Sequence, residues 1–501
     1  MNRALCSIVA VLSLAATATA QDYDRTVKQN HWNVSSNING IRQDRTNDAA
    51  YAELYTGVEN GGFKSYSESL TPWKAGAKTK ALVHLDRFSM AGGFSFEQSQ
   101  GDGMCGSMFI HPGLYPVDML EFTPGKKTLQ TYAFDGGLSV DLTPYVRLGG
   151  KIDFTSSNWS KRKDLRHTNY RLDMEVSPGI MFHEGTSAIG LNYIFKRDTE
   201  TITAEQIGTG ESTYYVFHDK GLMYGVYGPW GSSGIHLDEV GVSGFPVARN
   251  FHGAAMQFDA DGSLFELTYL HGDGKIGEKQ STWYRFPSNS WKFCWSDKYK
   301  MGKVVYLSRL SHEYVSVQNN ESVLEKVSSG GVSSMIEHGS NLIYKERSQI
   351  TSLEDELLAE KWELMLAIYR KQSFTEAFQM YPYVSDMDLS QYSVVLAPKI
   401  RRKAWELGTS LSFTFGHYKS DEYQSTEDSG VVTAPYRLEE YFSMDMEYKT
   451  AKRLGAEIDL RVHLPKKIYL KLDASALKAF NVTTLGGDKR FAATIGLGYE
   501  F

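Results

Sequence analysis

The chain has 501 residues, with 53 basic and 59 acidic side chains and a net charge of −6, a balance that argues against nucleic acid as its main partner. It carries 45 glycines, 30 tyrosines, 25 phenylalanines and 9 tryptophans against only 13 prolines. No stretch reaches the ~18 apolar residues of a helical membrane span, which excludes a bundle of transmembrane helices.

In chain order, the first signal is Met1 to Ala20. Arg3 precedes an apolar run from Ile8 to Ala15, and small residues close the stretch at Ala16-Thr17-Ala18-Thr19-Ala20. This predicts a secretory signal peptide cleaved before Gln21, with residues 21–501 as one domain. The run is too short for a spanning helix. No cysteine follows it, so a lipid anchor is not expected. Cys6 leaves with the signal, and pairing of Cys105 with Cys294 stays open, because spacing does not establish proximity.

Downstream, apolar and polar residues alternate with period two, the mark of a strand between two different surroundings. Tyr145–Thr155 sets Leu148, Ile152 and Phe154 against Arg147, Lys151 and Asp153. Tyr170–Phe182 sets Leu172, Met174 and Val176 against Arg171, Asp173 and Glu175. Thr186–Phe195, Trp362–Ile368 and Trp405–Phe415 repeat the pattern. Arg453–Leu464 carries it most cleanly, with Leu454, Ile458 and Leu460 opposite Glu457, Asp459 and Arg461. Lys467–Leu477 sets Ile468, Leu470 and Leu472 against Lys471 and Asp473, and only Pro465-Lys466 separates it from the preceding strand. The last stretch, Lys489–Phe501, alternates to its final aromatic residue. Several runs reach the ~9–11 residues that cross a bilayer at a tilt, where soluble strands are nearer ~5–6.

These features predict an all-β fold, a transmembrane antiparallel barrel of about 16 strands, with 14 to 18 allowed, long external loops and short turns. A mean hydropathy of −0.36 is compatible with it, because only alternate strand residues meet lipid. The predicted long loops are Gly101–Lys127, Thr199–Arg249, Asn319–Ser340 and Lys419–Pro435. Ser352–Leu366 has some helical character, but a turn into a strand at Trp362 is the preferred reading. Asp259-Ala260-Asp261-Gly262 opens like a calcium loop yet lacks the distal acid, so a hairpin turn is expected.

Catalytic signatures are missing: there is no G-x-S-x-G elbow, H-E-x-x-H, P-loop or C-x-x-C, so no enzyme, cofactor or metal is expected. Tyr214–His252 is the most unusual segment. Its Tyr214, Tyr215, Tyr224, Tyr227, Trp230 and Arg249 are the candidate ligand-binding residues, as a constriction or as a surface site. His218, Asp219, His236 and His252 match no metal-ligand spacing. Arg147, Lys151, Asp153, Arg171, Asp173, Glu457, Asp459, Arg461, Lys471 and Asp473 are candidate pore-lining residues. Their mixed signs fit cross-strand ladders and give no strong ion selectivity.

The stretches HPGLYPVD (His111–Asp118), GLMYGVYGPWG (Gly221–Gly231) and the closing GLGYEF resemble an uncharacterised family of outer-membrane β-barrels from Bacteroidota. That resemblance implies the cell outer membrane of a Gram-negative bacterium. Its members look like companions of TonB-dependent uptake systems. The expected partners are outer-membrane lipid, the barrel assembly machinery, and a TonB-dependent receptor or other surface protein. Two functions stand: passive passage or capture of a small or hydrophobic solute, and a plugged accessory barrel whose loops bind a partner protein.

Overall fold

The structure is a computed structural model that describes residues 23–205, 215–221, 223, 225–229, 244–278, 281–378, 386–420 and 438–501. The predicted signal peptide lies outside the described residues. The chain forms β1 (Ala49–Asn60), β2 (Trp73–His84), β3 (Phe88–Ser107), β4 (Asp118–Thr143), β5 (Val146–Lys161), β6 (Arg166–Glu184) and β7 (Ser187–Glu205). A small hairpin follows, β8 (Tyr215–Asp219) and β9 (Gly225–Pro229). Next come β10 (Phe245–Ala260), β11 (Ser263–Glu278), β12 (Ser281–Arg285), β13 (Ser288–Met301), β14 (Val304–Ser329), β15 (Val332–Leu358), β16 (Trp362–Ala377), β17 (Asp386–Arg401) and β18 (Trp405–Ser420). The last are β19 (Arg453–His463), β20 (Ile468–Ala479) and β21 (Lys489–Glu500).

Of these 21 strands, β8 and β9 lie off the wall and the short β12 continues the line of β13 between β11 and β14, which leaves 21 − 3 = 18 in one closed antiparallel barrel. Closure comes from β1, which pairs with both β2 and β21, with Tyr51 opposite Glu500 and Leu54 opposite Leu497. The count is two above the central expectation and within its range.

The outside of the wall is apolar. Leu54, Phe134, Leu148, Ile189, Phe265, Leu366, Leu411, Ile458 and Ile495 are all exposed. Aromatic residues mark the turn end of the belt: Phe88, Tyr145, Phe182, Phe258, Trp362, Trp405 and Tyr499 are exposed beside the short connections. In water so large an apolar surface would drive association. Around a barrel it is the surface that faces hydrocarbon, with an aromatic girdle at the interface.

Short turns follow local chemistry. Asp261 and Gly262 take positive φ, 53° and 94°, so the Asp-Ala-Asp-Gly stretch is the two-residue hairpin between β10 and β11. Lys466 and Lys467 take φ of 64° and 61° between β19 and β20. Ser352–Leu366 forms no helix: β15 runs to Leu358 and β16 starts at Trp362.

The long loops need correction. Asn319–Ser340 is not a loop, because its alternating residues continue β14 and β15 to a Gly330-Gly331 turn. Gly101–Lys127 shrinks to residues 108–117, since β3 and β4 pair across most of it. Arg249 and His252 belong to wall strand β10. Most of Lys419–Pro435 lies outside the described residues. It leads to a helix that the alternation gave no sign of, Leu438–Thr450. Cys105 and Cys294 are both buried and free.

A face test follows from this wall. Ile458 is 51% exposed to the outside, whereas the neighbouring Glu457 points to the lumen and forms no ion pair among the described residues. Ile458→Arg should cost about 2–4 kcal/mol if it lies near the midplane. Glu457→Gln should stay within about 0.5 kcal/mol. Urea unfolding of the barrel in lipid vesicles measures both.

Candidate functional site

A lumen enclosed by 18 strands is too wide for wall side chains to fill. It is occupied from both ends. From the turn end, the segment before β1 folds into the barrel as α1 (Tyr23–Lys28), a 3-10 turn (His31–Val34) and α2 (Gly40–Gln43). Asn30 caps the turn: its side chain accepts the Trp32 N–H at 2.8 Å, and its amide donates to the Gly40 carbonyl. Trp32 is buried against Met181, Ala188 and Leu264 of the wall.

This plug is held by polar contacts to many strands. His31 bonds Asp44 through Nδ1 and Asp259 of β10 through Nε2, both at 2.9 Å. Trp32 Nε1 donates to the same Asp259 carboxylate, and Lys298 of β13 pairs with Asp44 at 2.7 Å. Ser35 and Ser36 donate to Glu266 of β11, and Asn37 donates to Gln257 of β10. Arg42 grips Asp141 of β4 and Ser89 of β3, and Arg147 of β5 donates to Gln43 at 2.7 Å. Arg25 donates to the Ala359 carbonyl, and Lys28 pairs with Glu356 of β15. Wall glycines make the room. A Cβ at Gly137 or Gly149 would meet Ile38 at 2.6–2.7 Å, and one at Gly190 would meet Asn37 at 2.8 Å.

From the other end, residues 108–117 and the β8–β9 hairpin fold inward. Met119 and Leu120 neighbourhoods pair with β8, joining the two inserts. Met108, Phe109, Tyr115, Val117, Val216, Phe245, Trp283, Tyr284 and Phe286 form a dry core there. Arg249 is its clamp, bonded to Asp198 and to the Leu114 carbonyl and lying 4.8 Å from the Tyr115 ring centre. Its charge is thus already paired with a wall carboxylate.

Helix α3 (Leu438–Thr450) packs Leu438, Phe442 and Met446 against Leu120, Phe122, Phe217, Met223 and Met387. Glu447 fixes it to the β20–β21 connection by accepting the N–H groups of Thr483, Thr484 and Leu485. Between α3, the inserts and β15–β17 lies a cavity of about 360 Å³. Its polar lining includes Asp118, Asp219, Glu346, Lys371 and Lys449. Burial pushes the Asp219 carboxyl up to about 7, although the Gly221 and Met223 N–H groups favour its anion.

The expected lumen charges pair both along and across strands. Lys151 meets Asp153 at 2.8 Å, and Arg171 meets Asp173 at 2.7 Å and Asp198 at 3.0 Å. Lys471 bridges Asp473 and Asp459, and Arg461 faces Glu500 at 3.5 Å. Arg147 serves the plug. Tyr215 is exposed on β8, and Tyr227 packs on Phe217 with ring centres 5.5 Å apart. Tyr214, Tyr224 and Trp230 lie outside the described residues, as does His236. His218 is buried in the dry core, edge-on to Phe245 and Tyr284, while His252 sits on the outer face bonded to Tyr193. No group of ligating side chains among the described residues could hold a metal.

Sequence reasoning missed the plug. A signal was present: Asn30, Asn33, Ser35, Ser36, Asn37 and Asn39 crowd a stretch without alternation, and such residues cap and turn the backbone.

The model of a family of unknown function, DUF6850, matches residues 39–501. No curated protein matches the chain. Among solved structures, OccK2 (OpdF) of Pseudomonas aeruginosa is similar at 9% identity and a TM-score of 0.36, over 91% of this chain and 97% of that one. The FrpB iron transporter of Neisseria meningitidis (F5-1 variant) is similar at 8% identity and a TM-score of 0.42, over 90% and 81%. The outer membrane transporter YddB of Escherichia coli is similar at 7% identity and a TM-score of 0.39, over 90% and 80%.

The plug's seating should depend on pH. Burial opposes charge on His31, but its bonds to Asp259 and Asp44 outweigh that and raise its pKa above the usual 6.5. A raised pKa adds stability that is complete below the unfolded value and lost as pH rises through the folded one. Once neutral, His31 keeps one proton for two carboxylates. Protection of the amides of residues 23–44, their exchange normalised to the intrinsic rate, should therefore be higher at about pH 6 than at about pH 9. Asp259→Asn should flatten that dependence, and equal protection in the wild type at both pH values would refute the latch.

Proposed function

The chain belongs to the DUF6850 family, whose function is unknown, and from the geometry of its lumen we propose an outer-membrane barrel that captures a small solute and passes it inward past a seated plug. The observation that carries this reading is the polar plug itself. Its bonds to the wall are mostly hydrogen bonds and ion pairs rather than apolar packing. Each such contact exchanges with water at a net of about 0.5–1.5 kcal/mol, so the plug is releasable in a way an apolar core is not. The exposed apolar belt supports a membrane setting, and the cavity beneath the inward loops supports capture.

A second reading rests on the β14–β15 hairpin. Its strands have 26 and 27 residues, far beyond the ~9–11 that cross a bilayer. β16 pairs with β15 only from Tyr344 onward, so the tip stands alone, with Val323, Val327, Val332 and Ile336 exposed. Such an arm suits contact with a surface partner.

The deciding experiment removes residues 23–44 and records conductance in planar bilayers. Passage predicts an intact chain of low conductance and a deleted chain whose conductance rises severalfold, short of an open barrel of about 16–18 strands because the loop-end insert stays in place. If the deleted barrel assembles, shown by heat-modifiable mobility, and stays closed, the passage reading fails and the arm becomes the better guide. Arg42→Ala should act in the same direction with a smaller rise, since it frees only the β3–β4 side of the plug.

A further inference from the structure

The cavity under the inward loops has a chemistry of its own. Asp118 and Asp219 are ladder partners between β4 and β8. Directly opposed residues share a face, with Cβ atoms about 5 Å apart, and like charges there repel. Asp118 accepts from Ser107 Oγ at 2.8 Å and from the Met119 N–H at 2.7 Å, and Asp219 accepts from the Gly221 N–H at 2.8 Å. No lysine or arginine among the described residues forms an ion pair with either acid. Lys449, the base on α3, is tied to Asp445 at 2.5 Å, and Lys371 stands on the β16 wall near Glu346. The acids on the lining outnumber the bases four to two, with Glu346 and Asp445 beside the pair.

A separate group points into the same space. Tyr66 is half-buried between Phe122 and Tyr441, with ring centres 6.5 and 5.0 Å away, and it lines the cavity. Its hydroxyl makes no hydrogen bond to the described residues, so it can donate to or accept from a molecule in the cavity. The apolar part of the lining is Leu120, Met223, Met387, Leu389, Phe442 and Met446, the cluster against which Tyr66 packs. A hard divalent ion wants six to eight oxygen ligands, and this half-apolar lining does not provide them.

We propose that the cavity binds a small organic cation, its ammonium group placed against Asp118 and Asp219 beside the Tyr66 hydroxyl, and its apolar body against Met223, Met387 and Phe442. The proposal rests on the capture reading above and names the class of solute. The ammonium supplies the counter-charge that the opposed acids lack. The thioether and aromatic side chains take the hydrocarbon part.

Calorimetry on the full barrel in detergent tests it, with 2-phenylethylammonium as probe and the uncharged 2-phenylethanol as its match. The amine should bind saturably and the alcohol about tenfold more weakly or worse, because only the amine makes charge-assisted bonds. Asp219→Asn should weaken the amine about tenfold and leave the alcohol unchanged. Tyr66→Phe removes one oxygen from a packed ring and should weaken the amine a few-fold while the barrel keeps its heat-modifiable mobility. Amine affinity should also rise as pH increases through about 7, where Asp219 ionises. The groups facing that carboxyl are Asp118 on β4, Asp445 and Lys449 on α3, and the Tyr66 and Tyr344 phenols. Equal binding of amine and alcohol, or indifference to both substitutions, overturns the cation site but leaves capture standing. No binding of either probe overturns the cation site as well, and conductance of the plug-deleted barrel then decides the passage reading separately.

Discussion

A backbone in hydrocarbon has no water to bond, so every N–H and C=O on the wall must find a partner on a neighbouring strand. The pairing of β1 with β21 is where that requirement is met last. Without it, both strands would present open edges to lipid. The register there is set by alternation: Leu54 faces Leu497 on the outside, and Glu53 faces Gly498 on the inside. A slip of one residue would turn Glu53 and Glu500 into the bilayer. The Tyr469 hydroxyl, which donates to Glu53 at 2.8 Å, reinforces the inner side of the same seam.

Closing 18 strands creates a second problem, an interior wider than side chains can span. The chain answers with two inserts of different character. The loop-end insert is a dry aromatic core with Arg249 locked to Asp198, and it behaves as a fixed lid. The turn-end plug is polar, seated on wall glycines and fastened by His31, Glu266 and Arg42. Buried charges need partners, and here the partners lie on opposite sides of the contact between plug and wall. Removal of one side leaves the other unpaired in the lumen, where water can enter and lower the cost.

The wall was readable from the sequence because lipid and water impose opposite demands on alternate residues. Ile458 and Arg461 fall on the faces that period-two reading assigns them. The inserts were not readable, because they are stabilised by tertiary partners rather than by local pattern. Nothing in HWNVSSN announces that Ser35 will meet Glu266 more than two hundred residues later. The alternating residues of Asn319–Ser340 failed in the opposite way. Their polarity suggested a loop, yet a two-stranded ribbon in water can be polar on both faces and still pair. Arg249 was misplaced because a glycine-rich segment before it hid the start of β10.

The plug does not cover the wall evenly. Its hydrogen bonds and ion pairs reach β3 to β7, β10, β11 and β13 to β16. On β17 to β20 the charges pair with each other instead: Lys399 with Asp459 and Glu406, and Lys471 with Asp459 and Asp473. These groups are partly exposed, and Glu457 beside them is exposed. A cavity of about 180 Å³ separates them from Lys28 of the plug. Alternating charges held in pairs keep such a strip wet without binding one ion strongly.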